Sequence, residues 1–122
     1  MRYVLIADDD PDIRQLVAVT LDSSTYSILE AEDGDQAWEL IVRYRPTVAV
    51  LDVGMPGKGG LDLAEAIRTD PTLAGMKVIL LTAFSGEQNV EAGMRAGADY
   101  YLAKPFSPLQ LMTLVDQAVE GA

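Results

Sequence analysis

Short apolar runs alternate with helical patterns along the whole chain, and this alternation restricts the fold more than any other feature of the sequence. Five runs are rich in Val, Ile, Leu and Tyr and are bounded by Asp, Gly or Pro, as buried strands are. They cover residues 3–7, 26–31, 47–51, 77–82 and 99–103. Three of them are almost continuously apolar, which is typical of parallel strands covered on both faces.

A helical pattern follows each of these runs. Asp10 and Ser107 are predicted N-caps, because each precedes a proline that suits the first helical position, and Pro46 is predicted to end the second helix. Five βα units in succession predict a parallel sheet with helices on both faces and right-handed crossovers. No linker, repeat or low-complexity tract interrupts residues 1–122, so we expect a single domain.

The residue types that are present limit the chemistry. The chain has no cysteine and no histidine, which excludes disulfides, thiolate nucleophiles, Ser-His-Asp triads and a phosphohistidine made on this chain. Nine Lys and Arg against 19 Asp and Glu give a net charge of −10, which opposes nucleic-acid binding and favours cations. The apolar runs are too short for a membrane span or a signal peptide. We therefore expect a cytoplasmic protein with no direct nucleic-acid binding and no membrane insertion.

Polar residues stand at the ends of four predicted strands. Three aspartates, Asp8 to Asp10, follow the first strand, Asp52 follows the third, Thr82 ends the fourth and Lys104 ends the fifth. Each is commonplace alone, as a turn acid, a β-branched strand residue or a solvated lysine. In open α/β sheets, however, ligands bind beyond the carboxyl ends of the strands, where the strand order reverses. In an order 2-1-3-4-5 these strands are neighbours, and the converging carboxylates, hydroxyl and ammonium suit an anion bridged by Mg²⁺.

Four stretches in series resemble the receiver domain of two-component response regulators, a CheY-like family. They read VLIADDDPDIR, VAVLDVGMPGKGGLDL, VILLTA and GADYYLAKPFSP, in the order and at the spacing of the family. Each is weak evidence alone, but the four together are specific and extend over essentially the whole chain. The resemblance implies a (βα)5 flavodoxin-like fold of the α/β class, with a five-stranded parallel sheet of order 2-1-3-4-5, and a single receiver domain over residues 1–122.

The resemblance also implies a role for each matching acid. Asp52 would be the phosphoacceptor. Asp9 and Asp52 would bind Mg²⁺ directly, Asp8 would act largely through a metal-bound water, and Gly54 would offer its backbone carbonyl. Gly54 and Phe84 stand at positions that the family links to the rate of dephosphorylation, and neither has a polar group to orient a water there.

The remaining implied roles belong to residues on the fourth and fifth strands and directly after them. Thr82 and Lys104 would contact phosphoryl oxygens, and the bond from Lys104 to Pro105 would be cis. Thr82 and Tyr101 would form a switch acting on the face made by the fourth helix, the fifth strand and the fifth helix. Tyr101 has an adjacent rival in Tyr100, but neighbouring strand residues point to opposite faces of a sheet.

The implied function is a phosphorylation-dependent signalling receiver in a two-component phosphorelay. With Mg²⁺ as cofactor, Asp52 would take its phosphoryl group from a phosphohistidine of a sensor histidine kinase or a histidine phosphotransfer protein, and an unknown downstream effector would read the result. Such a domain is no enzyme, since it catalyses only its own phosphorylation and dephosphorylation.

Other interpretations stay open beside this one. One alternative is an Mg²⁺-dependent aspartyl-phosphate phosphohydrolase. Against it, this chain has no acid two residues after Asp52 that could protonate a leaving group. A scaffold receiver that never carries phosphate would not need all of these site residues. A flavin or nucleotide binder would not place three carboxylates after its first strand. The chain is either a stand-alone regulator or the receiver of a longer one.

Overall fold

Strands and helices alternate in the computed structural model, which describes residues 2–21, 26–82 and 87–121, apart from the side chains of 87–90. The strands are β1 (Arg2–Ala7), β2 (Tyr26–Ala31), β3 (Val48–Asp52), β4 (Lys77–Thr82) and β5 (Tyr100–Ala103). The helices are α1 (Pro11–Leu21), α2 (Gly34–Tyr44), α3 (Gly60–Thr69), α4 (Glu87–Arg95) and α5 (Pro108–Glu120). A short 3-10 turn covers Pro71–Leu73. Every predicted element is present, and β3 begins and ends one residue later than predicted, so that it includes Asp52.

Local sequence signals account for the helix ends. The Asp10 carboxylate accepts a hydrogen bond of 2.9 Å from the amide of the second residue of α1. Ser107 and Gln110 form a capping box at α5, in which each side chain accepts from the other's backbone amide, at 3.1 and 2.9 Å. At the end of α2, Arg45 adopts a left-handed conformation with φ of 49° before Pro46, so the helix stops at the predicted place.

The sheet is parallel throughout and has the order β2-β1-β3-β4-β5. This is the predicted flavodoxin-like topology, with the reversal of strand order between β1 and β3. The register pairs Ala7 with Leu51, Asp52 with Leu81, and Thr82 with Ala103. Because these pairs lie at the carboxyl ends of the strands, the polar residues beyond them gather at one edge of the sheet.

Two apolar layers cover the two faces of the sheet, and successive strand residues alternate between them. One layer packs against α2 and α3 and receives Leu5, Ala49, Leu51, Val78 and Leu80 from the strands. The other packs against α1 and α5 and receives Val4, Ile6, Val50, Ile79 and Leu81. All ten of these side chains are fully buried. Each contributes about 1–3 kcal/mol of burial free energy, so the edge that carries the polar residues rests on a rigid scaffold.

The longest of the described helices, α5, has 13 residues. None of these helices combines the length and the hydropathy that a bilayer crossing requires.

Candidate functional site

Two buried carboxylates and one ammonium group form the centre of the polar edge. Asp8 follows β1 directly and is fully buried, and Asp52 ends β3 with only 6% of its surface exposed. Lys104 follows β5, and its Nζ lies 2.8 Å from Oδ2 of Asp8 and 3.4 Å from Oδ1 of Asp52. A lysine from one end of the chain therefore neutralises part of the charge of two acids that burial would otherwise make very costly.

The backbone supplies further donors to these carboxylates. Oδ1 of Asp8 accepts from the Asp10 amide at 2.9 Å, and Oδ1 of Asp52 accepts from the Gly54 amide at 3.3 Å. Both contacts of Asp52, from Gly54 and from Lys104, use Oδ1. Among the described residues, the donors to Asp52 are thus gathered on one of its two carboxylate oxygens.

The site shifts the ionisation of two of these groups. Burial, followed by repulsion from Asp8, raises the pKa of Asp52 above its ordinary value, although the Gly54 amide and Lys104 act in the opposite direction. Burial alone would lower the pKa of Lys104, but its bond to Asp8 and the attraction of Asp52 outweigh this and raise that pKa. The lysine is therefore firmly charged, while ionised Asp52 is under electrostatic strain.

A metal ion could relieve that strain, because the acids are close enough to share one. One carboxylate oxygen from each of Asp8, Asp9 and Asp52 can be chosen so that all three lie within 4.8 Å of one another. Asp9 is exposed and completes the cluster from the solvent side. Several carboxylate oxygens at one point are the donor set that hard divalent cations prefer. The residues present therefore fit a divalent cation.

The other predicted site residues take the following places. Thr82 is buried at the end of β4, and its carbonyl accepts a bond of 2.6 Å from the Lys104 amide. The Lys104–Pro105 peptide bond is cis. Tyr101 packs into the layer of α2 and α3, whereas Tyr100 packs into the layer of α1 and α5, as strand alternation predicted. Phe84 lies outside the described residues.

Arg14 belongs to the site and was missed by the sequence analysis. From α1, its Nη1 donates to the backbone carbonyl of Asp8 at 2.7 Å, and its Nε lies 3.7 Å from the Glu30 carboxylate on β2. The guanidinium therefore braces the turn that carries the acids. No signal in a single sequence points to this role, because an arginine on an amphipathic helix is usually a solvated cation.

Fold and site together define a class: a doubly wound α/β protein whose acidic, lysine-closed crevice lies at the switch point of its sheet. The family model of the response regulator receiver domain matches residues 4–116. The chain therefore belongs to the receiver-domain family of response regulators in two-component signalling.

Curated relatives agree with this membership. The chain is 40% identical over 111 residues to the phosphate regulon transcriptional regulatory protein PhoB of Pseudomonas aeruginosa, covering 91% of this chain and 48% of that protein. It is 35% identical to the transcriptional regulatory protein GltR of the same organism, covering 99% of this chain and 50% of that protein. The chain thus spans about half the length of these two regulators.

Solved structures share the fold over almost the full chain. A putative response regulator from Chloroflexus aurantiacus has a TM-score of 0.91 at 31% identity, with 98% of each chain covered. The chemotaxis protein CheY4 of Vibrio cholerae has a TM-score of 0.89 at 30% identity, with 97% of this chain and 98% of that chain covered. The present chain is similar to both in fold.

Proposed function

We propose that this receiver domain accepts a phosphoryl group on Asp52 from the phosphohistidine of a histidine kinase or a histidine phosphotransfer protein, with Mg²⁺ bound by the acidic cluster. The observation that carries the proposal is the placement of Asp52. Its carboxylate ends β3 beside two further acids and within 3.4 Å of the Lys104 ammonium. This is the charge arrangement that an attack by a carboxylate on a phosphoryl group requires.

In the proposed transfer, residues of this chain form the new bond and hold the phosphoryl group. The oxygen of Asp52 that Gly54 and Lys104 leave free forms the new bond to phosphorus, while the P–N bond to the donor imidazole breaks and its electron pair stays on the imidazole nitrogen. Lys104 and the Thr82 hydroxyl then hold phosphoryl oxygens. The proposed domain catalyses this transfer and its own dephosphorylation and no other reaction.

Asp8, Asp9, Asp52 and the Gly54 carbonyl are the groups that would hold Mg²⁺, with Asp8 acting largely through a water. When bound, the ion neutralises charge on the phosphoryl group and the acids. Support comes from the donor set, which contains oxygens alone, and from the raised pKa of Asp52, since burial and repulsion from Asp8 leave that carboxylate in need of a positive neighbour.

Removal of the metal should abolish the modification. With a small acyl phosphate and millimolar MgCl₂, the intact mass should rise by one phosphoryl group per chain. In excess chelator the yield should fall by at least about tenfold, because the repulsion between the phosphoryl group and the acids is then unscreened. Intact-mass spectrometry measures both yields. Equal yields with and without chelator would contradict the proposal, and sustained turnover of small phosphate esters would favour the phosphohydrolase instead.

The output face is proposed to be the surface formed by α4, β5 and α5. It carries a groove of 470 Å³ lined by Tyr101, Leu102, Leu109, Gln110, Thr113 and Leu114. Leu109 in this groove is 72% exposed, and Tyr101 pairs in the sheet with Leu80, two residues before Thr82 on β4. A downstream effector that reads this face would sense the phosphoryl group through Thr82 and Tyr101.

A glycine on α4, Gly93, leaves room for the Tyr101 ring. A Cβ on Gly93 would lie 3.1 Å from Cδ2 and 3.3 Å from Cε2 of Tyr101, and 3.0 Å from Cδ1 of Leu80. Gly93→Ala should therefore displace the ring outward and change its NMR shifts without phosphorylation. Stability should stay within about 1 kcal/mol of the parent, because the gain in helix propensity offsets the crowding.

A second glycine provides the control for this experiment. A Cβ on Gly75 meets no atom within 4 Å, so Gly75→Ala should leave the Tyr101 shifts unchanged. If the Tyr101 ring shifts of Gly93→Ala equal those of the parent, the ring is not held by α4 and the switch needs another route.

A further inference from the structure

The loop of residues 53–59, between β3 and α3, rests against the first turn of α2. A Cβ on Gly34, the first residue of α2, would lie 2.0 Å from the Lys58 carbonyl oxygen, 2.6 Å from its Cβ and 2.8 Å from its carbonyl carbon. Two of these three atoms are backbone, so no rotation of a side chain could make room. Only a glycine allows α2 and this loop to approach so closely.

The same face of α2 also holds the Lys58 side chain. Trp38 lies four residues after Gly34, on the same side of the helix, and Lys58 Nζ is 5.7 Å from the centre of its ring. A cation at that distance from an indole face is attracted to it. Lys58 thus has two contacts on α2: Gly34 packs against its backbone, and the Trp38 ring faces its ammonium group.

The rest of the loop is packed just as tightly. A Cβ on Gly59 would lie 2.6 Å from the Val53 carbonyl oxygen, and one on Gly60 would lie 2.9 Å from the Asp52 carbonyl oxygen. At the start of the loop, the Val53 amide donates to the Leu81 carbonyl at 2.9 Å. The loop is therefore fixed to β4 at its beginning and to α2 near its end, and Gly54 lies between these two anchors.

We infer that Gly34 is a positioning residue for the metal site. By leaving space for the Lys58 backbone, it holds loop 53–59 in place, and with it Gly54, whose amide donates to Asp52 Oδ1 at 3.3 Å and whose carbonyl is a proposed ligand. Groups that orient metal ligands without touching the ion typically change the metal affinity by 10- to 100-fold when they are altered. This inference rests on the proposed function, since it concerns how the same Mg²⁺ site is built.

Substitution of Gly34 by alanine tests the inference. We expect Gly34→Ala to raise the Mg²⁺ dissociation constant by at least about tenfold, measured as the MgCl₂ dependence of amide NMR shifts in the folded protein. Gly75→Ala, whose added methyl meets nothing within 4 Å, should bind Mg²⁺ as the parent does. A purely structural role for Gly34 would lower the melting temperature without changing the dissociation constant of the folded molecules, and that result overturns the inference.

A second pair of variants decides the matter if Gly34→Ala does not fold. Lys58→Gly and Lys58→Ala remove the same charge, but only the glycine also increases the conformational freedom of the backbone at residue 58, where the loop contacts α2. Lys58→Gly should bind Mg²⁺ more weakly than Lys58→Ala, and equal affinities overturn the inference. A parent protein that shows no Mg²⁺-dependent shifts would instead overturn the proposed function itself, so the two failures are distinguishable.

Discussion

Replacing Asp52 by asparagine should remove phosphoryl transfer almost completely, with a yield lower by about two orders of magnitude or more. The amide is nearly the same size as the carboxylate and can still accept the Gly54 hydrogen bond of 3.3 Å, so the fold should survive. It lacks the negative oxygen that must form the bond to phosphorus. Incubation with a small phosphodonor and Mg²⁺, followed by intact-mass spectrometry, measures the loss.

The same substitution should stabilise the metal-free fold. Burial and the repulsion from Asp8 raise the pKa of Asp52 in the folded state, so its ionised form costs folding free energy that a neutral amide does not. We expect a gain of about 0.5–2 kcal/mol, the usual range for relieving a strained functional site. The gain should be full above the raised pKa and should shrink as the pH falls towards the ordinary value of 3.8, because the parent's carboxyl is then protonated too.

Asp10→Asn is the matched control. Asp10 directly follows Asp8 and Asp9 of the acidic cluster, but its exposed side chain caps α1 by accepting from the Asp12 amide at 2.9 Å, which asparagine does equally well. This variant should retain phosphorylation and change stability little. An undiminished yield in Asp52→Asn, or an equal loss in both variants, would contradict the assignment of Asp52 as the phosphoacceptor.

The fold was predictable because each of its elements carries a local signal. The β-branched and apolar runs predicted the strands, and Asp10–Pro11 and Ser107–Pro108 predicted two helix starts. Placing the site needed the strand order 2-1-3-4-5, which the resemblance implied, and the rule that ligands bind at the carboxyl ends of parallel strands. Asp8, Asp52, Thr82 and Lys104 accordingly lie together at one edge of the sheet, although 96 positions separate the first from the last.

The contacts that a single sequence does not reveal join distant segments through ordinary residue types. Arg68 of α3 donates to the carbonyls of Gly97 and Met76, each at 2.7 Å, and pairs with Asp99. The close approach of Gly34 to the Lys58 backbone likewise has no signal in the sequence. Such contacts depend on the exact approach of two packed elements, which neither hydrophobic periodicity nor turn chemistry determines.

Replacing Lys104 by methionine should destabilise the metal-free protein and should make its stability strongly dependent on Mg²⁺. Asp8 is fully buried and Asp52 nearly so. The substitution removes the ammonium that lies 2.8 Å from Asp8 and 3.4 Å from Asp52. Breaking a fully buried ion pair costs about 3–5 kcal/mol. Since the Lys104 side chain is 22% exposed, we expect a smaller loss of about 2 kcal/mol. Urea denaturation measures the loss.

Mg²⁺ should recover most of this loss, because the acids that the lysine no longer neutralises are the proposed ligands and bind the ion more tightly without a competing cation. Lys77→Met is the matched control: Lys77 is 30% exposed, and its partner Asp99, 3.9 Å away, keeps the bond from Arg68. Lys77 begins β4, at the opposite edge of the sheet, so Mg²⁺ should stabilise that variant as it does the parent. If Mg²⁺ stabilises both lysine variants equally, Lys104 does not compete with the metal, and its role would be confined to the phosphoryl group.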